Sequence, residues 1–184
     1  MPEKTSRLGG KHILAVDDEK DVLDTIAEAL EEAYVDKAQD YNTAMDKLDE
    51  NNYDLAILDI MGVDGLKLLE KAVDRNIPAV MLTAHALSAD TLLESIRRGA
   101  ISYLPKEKLA ELEEILDELL GAMESGEPTW KLLFDRLEEF FNDKFGSDWK
   151  DKDRKFWSEF SRTYQVSKEV QSRLKHGRRV GLNV

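Results

Sequence analysis

Tyr53-Asp-Leu-Ala-Ile-Leu-Asp59 is the stretch that decides the fold. Leu55 to Leu58 run without a polar residue into a carboxylate, the pattern of a short strand buried on both faces of a parallel sheet. Ile13-Leu-Ala-Val-Asp17-Asp18 repeats it, and Thr83 and Lys106 close two further strand-like segments. In an open parallel sheet the carboxyl ends of the strands share one edge, so these groups converge although they are far apart in sequence. Three carboxylates, a hydroxyl and an ammonium at one edge suit magnesium-assisted phosphoryl chemistry.

Outward from that stretch, short apolar segments alternate with amphipathic ones. The strand-like segments are His12 to Val16, Tyr34 to Ala38, Tyr53 to Leu58, Ile77 to Leu82 and Ile101 to Leu104, of which the second is the weakest. Between them run helical spacings such as Val22, Leu23, Ile26, Ala29, Leu30 and, later, Leu109, Leu112, Leu116, Leu119. Five βα units predict an α/β fold with a five-stranded, parallel, doubly wound sheet. Pro78 breaks the chain before the fourth strand, Ser88 is placed to cap the next helix and Gly99 to end it.

Composition changes after residue 125. The net charge of −12 divides into −15 for residues 1–125, with 13 basic against 28 acidic residues, and +3 for the remainder. All three Trp and all six Phe follow Gly126. The expected organisation is therefore a polar, flexible lead-in over 1–10, an α/β domain over 11–124, and an all-α C-terminal extension over 125–184 of two to three helices with a basic tail. Trp130, Leu133, Phe134, Leu137 and Phe141 form one apolar stripe, and Trp157, Phe160 and Tyr164 a second. Ser167 is placed to cap a last short helix before the basic stretch from Arg173 to Arg179.

The absence of cysteine excludes disulfides, thiolate zinc sites and cysteine nucleophiles. No run approaches the ~18 apolar residues of a membrane span, and the polar N-terminus lacks an apolar signal-peptide centre. A cytoplasmic protein without a membrane partner is the expectation.

Asp17 and Asp18 would face opposite sides of a regular strand, but at a strand end both can reach one cavity. Hard oxygen ligands around it favour Mg²⁺, with Mn²⁺ as the alternate ion. Asp59 can then attack a phosphoryl donor, Lys106 can pair with one phosphoryl oxygen and Thr83 can donate to another. Taken singly, each Asp is as readily a helix cap or a solvated carboxylate. The joint pattern argues for a site: Val-Asp17-Asp18-Glu, Leu-Asp59, Leu-Thr83-Ala and Gly99-Ala-Ile-Ser-Tyr103-Leu-Pro-Lys106 follow strands one, three, four and five in order.

With these motifs, Lys11 to about Gly121 resembles the receiver domain of two-component response regulators, the chemotaxis-regulator type of doubly wound fold. The resemblance implies a flavodoxin-like strand order 2-1-3-4-5 and a response regulator that accepts a phosphoryl group on Asp59 from a histidine kinase or phosphotransfer protein. It implies that Asp17, Asp18 and Asp59 hold Mg²⁺ together with the backbone carbonyl of Met61, with Asp18 the more direct ligand of the first two. It also implies that Lys106 is the paired lysine and that Thr83 and Tyr103 are a switch pair. Tyr103 would turn inward on phosphorylation and re-form the surface of helix four, strand five and helix five. That surface, or the C-terminal helices, would then bind a protein partner or a second copy. The resemblance also places His85, two residues past Thr83, where a side chain can screen the phosphorylated aspartate from water and tune dephosphorylation. Enzymatic turnover would be limited to slow self-phosphorylation and self-dephosphorylation at Asp59.

Two departures from that family's pattern stand out. Asp59-Ile-Met-Gly-Val-Asp-Gly65 is two residues short before its glycine and lacks proline, and Pro105 precedes Lys106 instead of following it. His12 reads as structural, and His176 as a poor phosphotransfer residue. Residues 162–174 faintly resemble a helix-turn-helix, which makes a DNA-binding transcriptional regulator the runner-up. A haloacid-dehalogenase-like phosphohydrolase ranks below both, because Met61 stands where that family places its acid.

Overall fold

The computed structural model describes residues 6–165. Five parallel strands, β1 (His12–Val16), β2 (Tyr34–Ala38), β3 (Leu55–Asp59), β4 (Ala79–Thr83) and β5 (Ser102–Pro105), form one sheet in the order β2-β1-β3-β4-β5. The helices between and after them are α1 (Lys20–Ala29), α2 (Tyr41–Glu50), α3 (Gly65–Asp74), α4 (Ala89–Arg97) and α5 (Leu112–Ser125), the last entered through a 3-10 turn over Lys106–Glu111. α1 contacts α5 and α2 contacts α3, giving the sheet a helical layer on each face. β3 and β4 are buried along their whole length, which is why their sequences carry no alternation.

Strand positions match the apolar segments with small shifts at the ends that matter. β3 and β4 extend one residue further than their apolar runs, so Asp59 and Thr83 are the last strand residues and are held by the ladder. Ser88 caps α4, its hydroxyl accepting from the Thr91 amide at 3.1 Å, and Gly99 follows that helix with a φ of +98°.

Of residues 6–10, within the segment expected to be a flexible lead-in, Leu8 is anchored in the core while Arg7, Gly9 and Gly10 are exposed. Leu8 is only 1% exposed. The Arg7 amide donates to Asp117 Oδ1 at 2.8 Å, and its guanidinium reaches both Asp117 and Glu124 on α5. A lone Leu in a polar stretch carries no periodicity, so its burial leaves no pattern in the sequence.

α6 (Thr129–Phe145), a 3-10 turn (Trp149–Asp153) and α7 (Arg154–Thr163) form a helical cap on the outer side of β5. Both predicted apolar stripes point into its interior, where Trp130, Phe134, Phe141, Trp149, Trp157 and Phe160 are buried and meet mostly edge to face. Trp130 Nε1 donates to the Ala100 carbonyl at 3.0 Å, Arg136 is ringed by Glu111, Glu114 and Glu118, and Arg97 lies over the Phe156 ring at 5.2 Å. The cap thus occupies the face built from α4, β5 and α5. Dimerisation through that face, one of the partner modes expected from the sequence, would require the cap to leave it. The expected last helix from Ser167, the second half of the helix-turn-helix-like stretch, His176 and the basic tail lie outside the described residues.

Candidate functional site

The sheet register builds the site. Val16 pairs with Leu58, which sets Asp17 level with Asp59 on the neighbouring strand; Asp59 pairs with Leu82, one residue before Thr83; and Thr83 pairs with Pro105, one residue before Lys106. Four chemically active side chains therefore stand at one edge within one step of each other. Asp17, Asp59 and Thr83 are buried while Asp18 is exposed beside them.

Asp17, Asp18 and Asp59 each present an oxygen, and the three atoms lie within 4.8 Å of one another. Lys106 Nζ stands 2.8 Å from Asp17 Oδ2 and 3.5 Å from Asp59 Oδ1. Asp17 Oδ2 is buried, and the Lys106 ammonium is its close partner. Its other oxygen accepts from the Glu19 amide at 2.9 Å, which fixes the carboxylate at the strand end.

Three acidic groups against one ammonium leave the cluster short of positive charge. Burial first, and the Asp17 charge second, push the Asp59 carboxyl up to about 7, against the opposing pull of Lys106. Burial likewise raises Asp17, even though Lys106 and the Glu19 amide act to lower it. Lys106 is disfavoured by burial, but contact with Asp17 and the charge of Asp59 outweigh this and raise its pKa. A hard divalent cation fits this donor set: three carboxylate oxygens of suitable spacing in a pocket with excess negative charge.

The loop after Asp59 shows why it is compact. Gly62 has a φ of +87°, and a Cβ there would stand 2.5 Å from Asp18 Oδ2. Gly65, at the start of α3, lies so close to the Asp59 carbonyl that a Cβ would overlap it. Both glycines let backbone approach the acidic cluster. The Met61 side chain is exposed at 54% in that loop.

Thr83 Oγ1 is buried and has no hydrogen-bond partner. Tyr103, on β5, is fully buried, its hydroxyl 2.7 Å from Thr91 Oγ1 and within 3.3 Å of the Ser88 amide, which donates to it. The structure thus brings Asp17, Asp18, Asp59 and Lys106 into direct proximity, with Thr83 at the same edge and Tyr103 behind it. His85 is exposed in the loop between β4 and α4, and His12 is exposed at the opposite end of β1, stacked on Tyr34 at 5.0 Å. Sequence reasoning missed the contacts of Gly62 and Gly65, although their presence in a shortened loop was the available signal. It also missed the Ser88 and Thr91 bonds to Tyr103, which carry no local signature.

A five-stranded parallel sheet of this order with an acidic cluster at its carboxyl edge defines a doubly wound protein whose ligand site lies at the strand ends. The family model for the response regulator receiver domain matches residues 13–117, more than half of the chain, and the chain belongs to that family. It is 36% identical over 113 residues to the two-component response regulator ARR18 of Arabidopsis thaliana, an alignment covering 58% of this chain and 18% of the relative. It is 33% identical over 119 residues to the phosphate regulon transcriptional regulatory protein PhoB of Klebsiella pneumoniae, covering 58% of this chain and 52% of the relative. The chain thus spans about half or less of the length of these curated relatives. Among solved structures, the CheY-like response regulator receiver domain protein of Methanospirillum hungatei JF-1 superposes with a TM-score of 0.58 at 28% identity, covering 64% of this chain and 99% of that one.

Proposed function

We propose that the protein is a phosphorylation-controlled response regulator whose acceptor is Asp59. The observation that carries this reading is the convergence of Asp17, Asp18, Asp59 and Lys106 on one pocket beside a Thr83 hydroxyl that lacks a partner. An Asp59 carboxylate oxygen attacks the phosphorus of phosphohistidine on a histidine kinase or phosphotransfer protein. The new P–O bond forms as the P–N bond breaks, and the imidazole leaves with that electron pair. The product is an acyl phosphate on Asp59. Lys106 Nζ, now beside Asp59, pairs with one phosphoryl oxygen and Thr83 Oγ1 donates to another. Asp17, Asp18 and Asp59, with the Met61 carbonyl as a further ligand, would hold Mg²⁺, which supplies charge neutralisation of the phosphoryl oxygens.

Return to the resting state is the attack of water on the same phosphorus, which breaks the acyl P–O bond and restores the Asp59 carboxylate. His85 stands in the loop where it can screen that approach. Thr83 drawn to the phosphoryl group would shift the loop towards Tyr103, making these two the switch pair. The location proposed is the cytoplasm; among the described residues, no helix is long and apolar enough to cross a membrane.

Intact-mass spectrometry after incubation with acetyl phosphate tests the reading. One phosphoryl adduct that requires Mg²⁺ and is lost in Asp59→Asn supports it; no adduct on the wild-type protein from acetyl phosphate or a phosphohistidine donor refutes it. Transcriptional regulation is a second reading, favoured by the similarity to the phosphate regulon transcriptional regulatory protein PhoB. Mobility-shift titration with random duplex DNA at two salt concentrations separates the two, since phosphate contacts weaken steeply with salt.

A further inference from the structure

We infer that the protein has a second binding site, at the opposite end of the sheet from Asp59, which takes an uncharged purine base or nucleoside. None of its residues belongs to the acidic pocket, so it stands apart from the acceptor reading above.

The site is a cleft of about 610 Å³ between the N-terminal ends of β1 and β2 and the loop that follows α2. That volume lies within the usual range of small-molecule pockets. His12 opens β1 and Tyr34 opens β2, and the register sets the two opposite each other. Their rings stack at 5.0 Å between centroids, with the planes 19° apart. Among the described residues the exposed large apolar side chains are Tyr34, Met61 and Met123, and Tyr34 is the most open at 64%. Cross-strand pairing explains why the two rings meet, yet it leaves the greater part of Tyr34 in water. A ring already held by a second ring has little freedom left to lose when a flat ligand covers it.

The polar groups narrow the class of ligand. Asp36 is occupied, since Lys47 Nζ donates to one of its oxygens at 2.8 Å and the Tyr53 hydroxyl to the other at 2.6 Å. Burial first, and Asp36 second, raise Tyr53 above the usual phenol range and keep that proton in place. Asn51 Nδ2 donates to the Lys47 carbonyl at 3.2 Å, which ties this side chain to the end of α2. Asn52, also on the lining, is exposed, and its side chain has no hydrogen-bond partner among the described residues. An amide sets a donor beside an acceptor, the complement of the adjacent N6 and N7 of adenine. One flat molecule can therefore stack on Tyr34 and pair with Asn52. Asp36 is the sole carboxylate among the described lining residues, and no lysine or arginine lines the cleft to offset a phosphate. An uncharged base or nucleoside fits these groups and a nucleotide does not. The rise of a strand puts roughly 16 Å between His12 and Asp17, so the two sites can be filled independently.

Saturation-transfer NMR of the full chain with adenosine, together with amide shifts of a nitrogen-15-labelled sample, tests the inference. Saturable binding with a Kd on the order of 0.1 to 1 mM is expected, with shifts centred on His12, Tyr34 and Asn52 and no change in Asp59→Asn. Tyr34→Ala should weaken binding by roughly tenfold, the loss of one stacking face, while Tyr34→Phe keeps the face and the affinity. Asn52→Ala should reduce the preference for adenosine over the same nucleoside without its exocyclic amine. No saturation at about ten times the expected Kd overturns the inference. So does a folded Tyr34→Ala protein of wild-type affinity, or tighter binding of adenosine monophosphate than of adenosine. None of these results bears on phosphorylation of Asp59, which the adduct measurement reads separately.

Discussion

Asp59→Asn should stabilise the metal-free protein, and should do so more at pH 8 than at pH 5. The folded carboxyl titrates at about 7 against an ordinary value of 3.8, because burial and the Asp17 charge disfavour ionisation. Between those values the folded chain holds a proton that the unfolded chain has released, so stability from this group is full in acid and is lost as pH rises through 7. At about 1.36 kcal/mol for each pH unit in that window, roughly 1.5 kcal/mol has gone by pH 5 and roughly 4 by pH 8. An amide of nearly the same shape does not titrate. The advantage of the variant should therefore grow by about 2 to 3 kcal/mol from pH 5 to pH 8. Comparing the two pH values cancels any constant effect of the amide itself. Urea denaturation in EDTA, monitored by circular dichroism, measures the difference. An advantage that is equal at both pH values, or larger at pH 5, refutes the charged-pocket reasoning. Saturating Mg²⁺ should narrow the gap at pH 8 by stabilising only the wild type, by about 2.7 kcal/mol at a hundred times Kd.

Gly62→Ala places a methyl group against the Asp18 carboxylate at a left-handed φ of +87°, and should abolish Mg²⁺-dependent adduct formation from acetyl phosphate while leaving the far-ultraviolet spectrum unchanged. Leu8→Ala should cost about 2 to 4 kcal/mol in urea denaturation, because the side chain is buried in the main core; a cost near zero would mean that residues 6–10 are not docked. Trp130→Phe leaves the Ala100 carbonyl without its donor and should cost about 1 to 3 kcal/mol, read by the same denaturation assay.

The sheet was legible because β1, β3 and β4 carry unbroken apolar runs and each run is followed by a reactive side chain. Those side chains, Asp17, Asp59 and Thr83, together with Lys106 after β5, made much of the pocket legible as well. What escaped was information held between segments. Arg136 sits among glutamates at 111, 114 and 118, spaced to fall on one side of a helical stretch, yet an amphipathic pattern shows that a face exists and not which partner it meets. The stripes of α6 and α7 were legible as apolar faces, but their seat on β5 follows from Phe141 meeting Tyr103, a pairing with no sequence periodicity. The need for glycine at position 62 leaves no local pattern, since it is set by Asp18, 44 positions away.

The two margins of the sheet differ in a way that bears on solubility. β2 is a border strand with mostly exposed or half-exposed residues and carries Asp36 and Lys37, charges that discourage a second strand from adding there. β5 borders the sheet in topology, yet all four of its residues are buried, and none is charged. Its protection comes from the cap. Removing the chain after Ser125 would uncover a short uncharged strand together with the apolar surfaces of α4 and α5, and that margin would become a template for self-association. The aromatic helices thus serve, whatever signal they carry, as the colloidal shield of a border that the receiver portion leaves without gatekeeping charges.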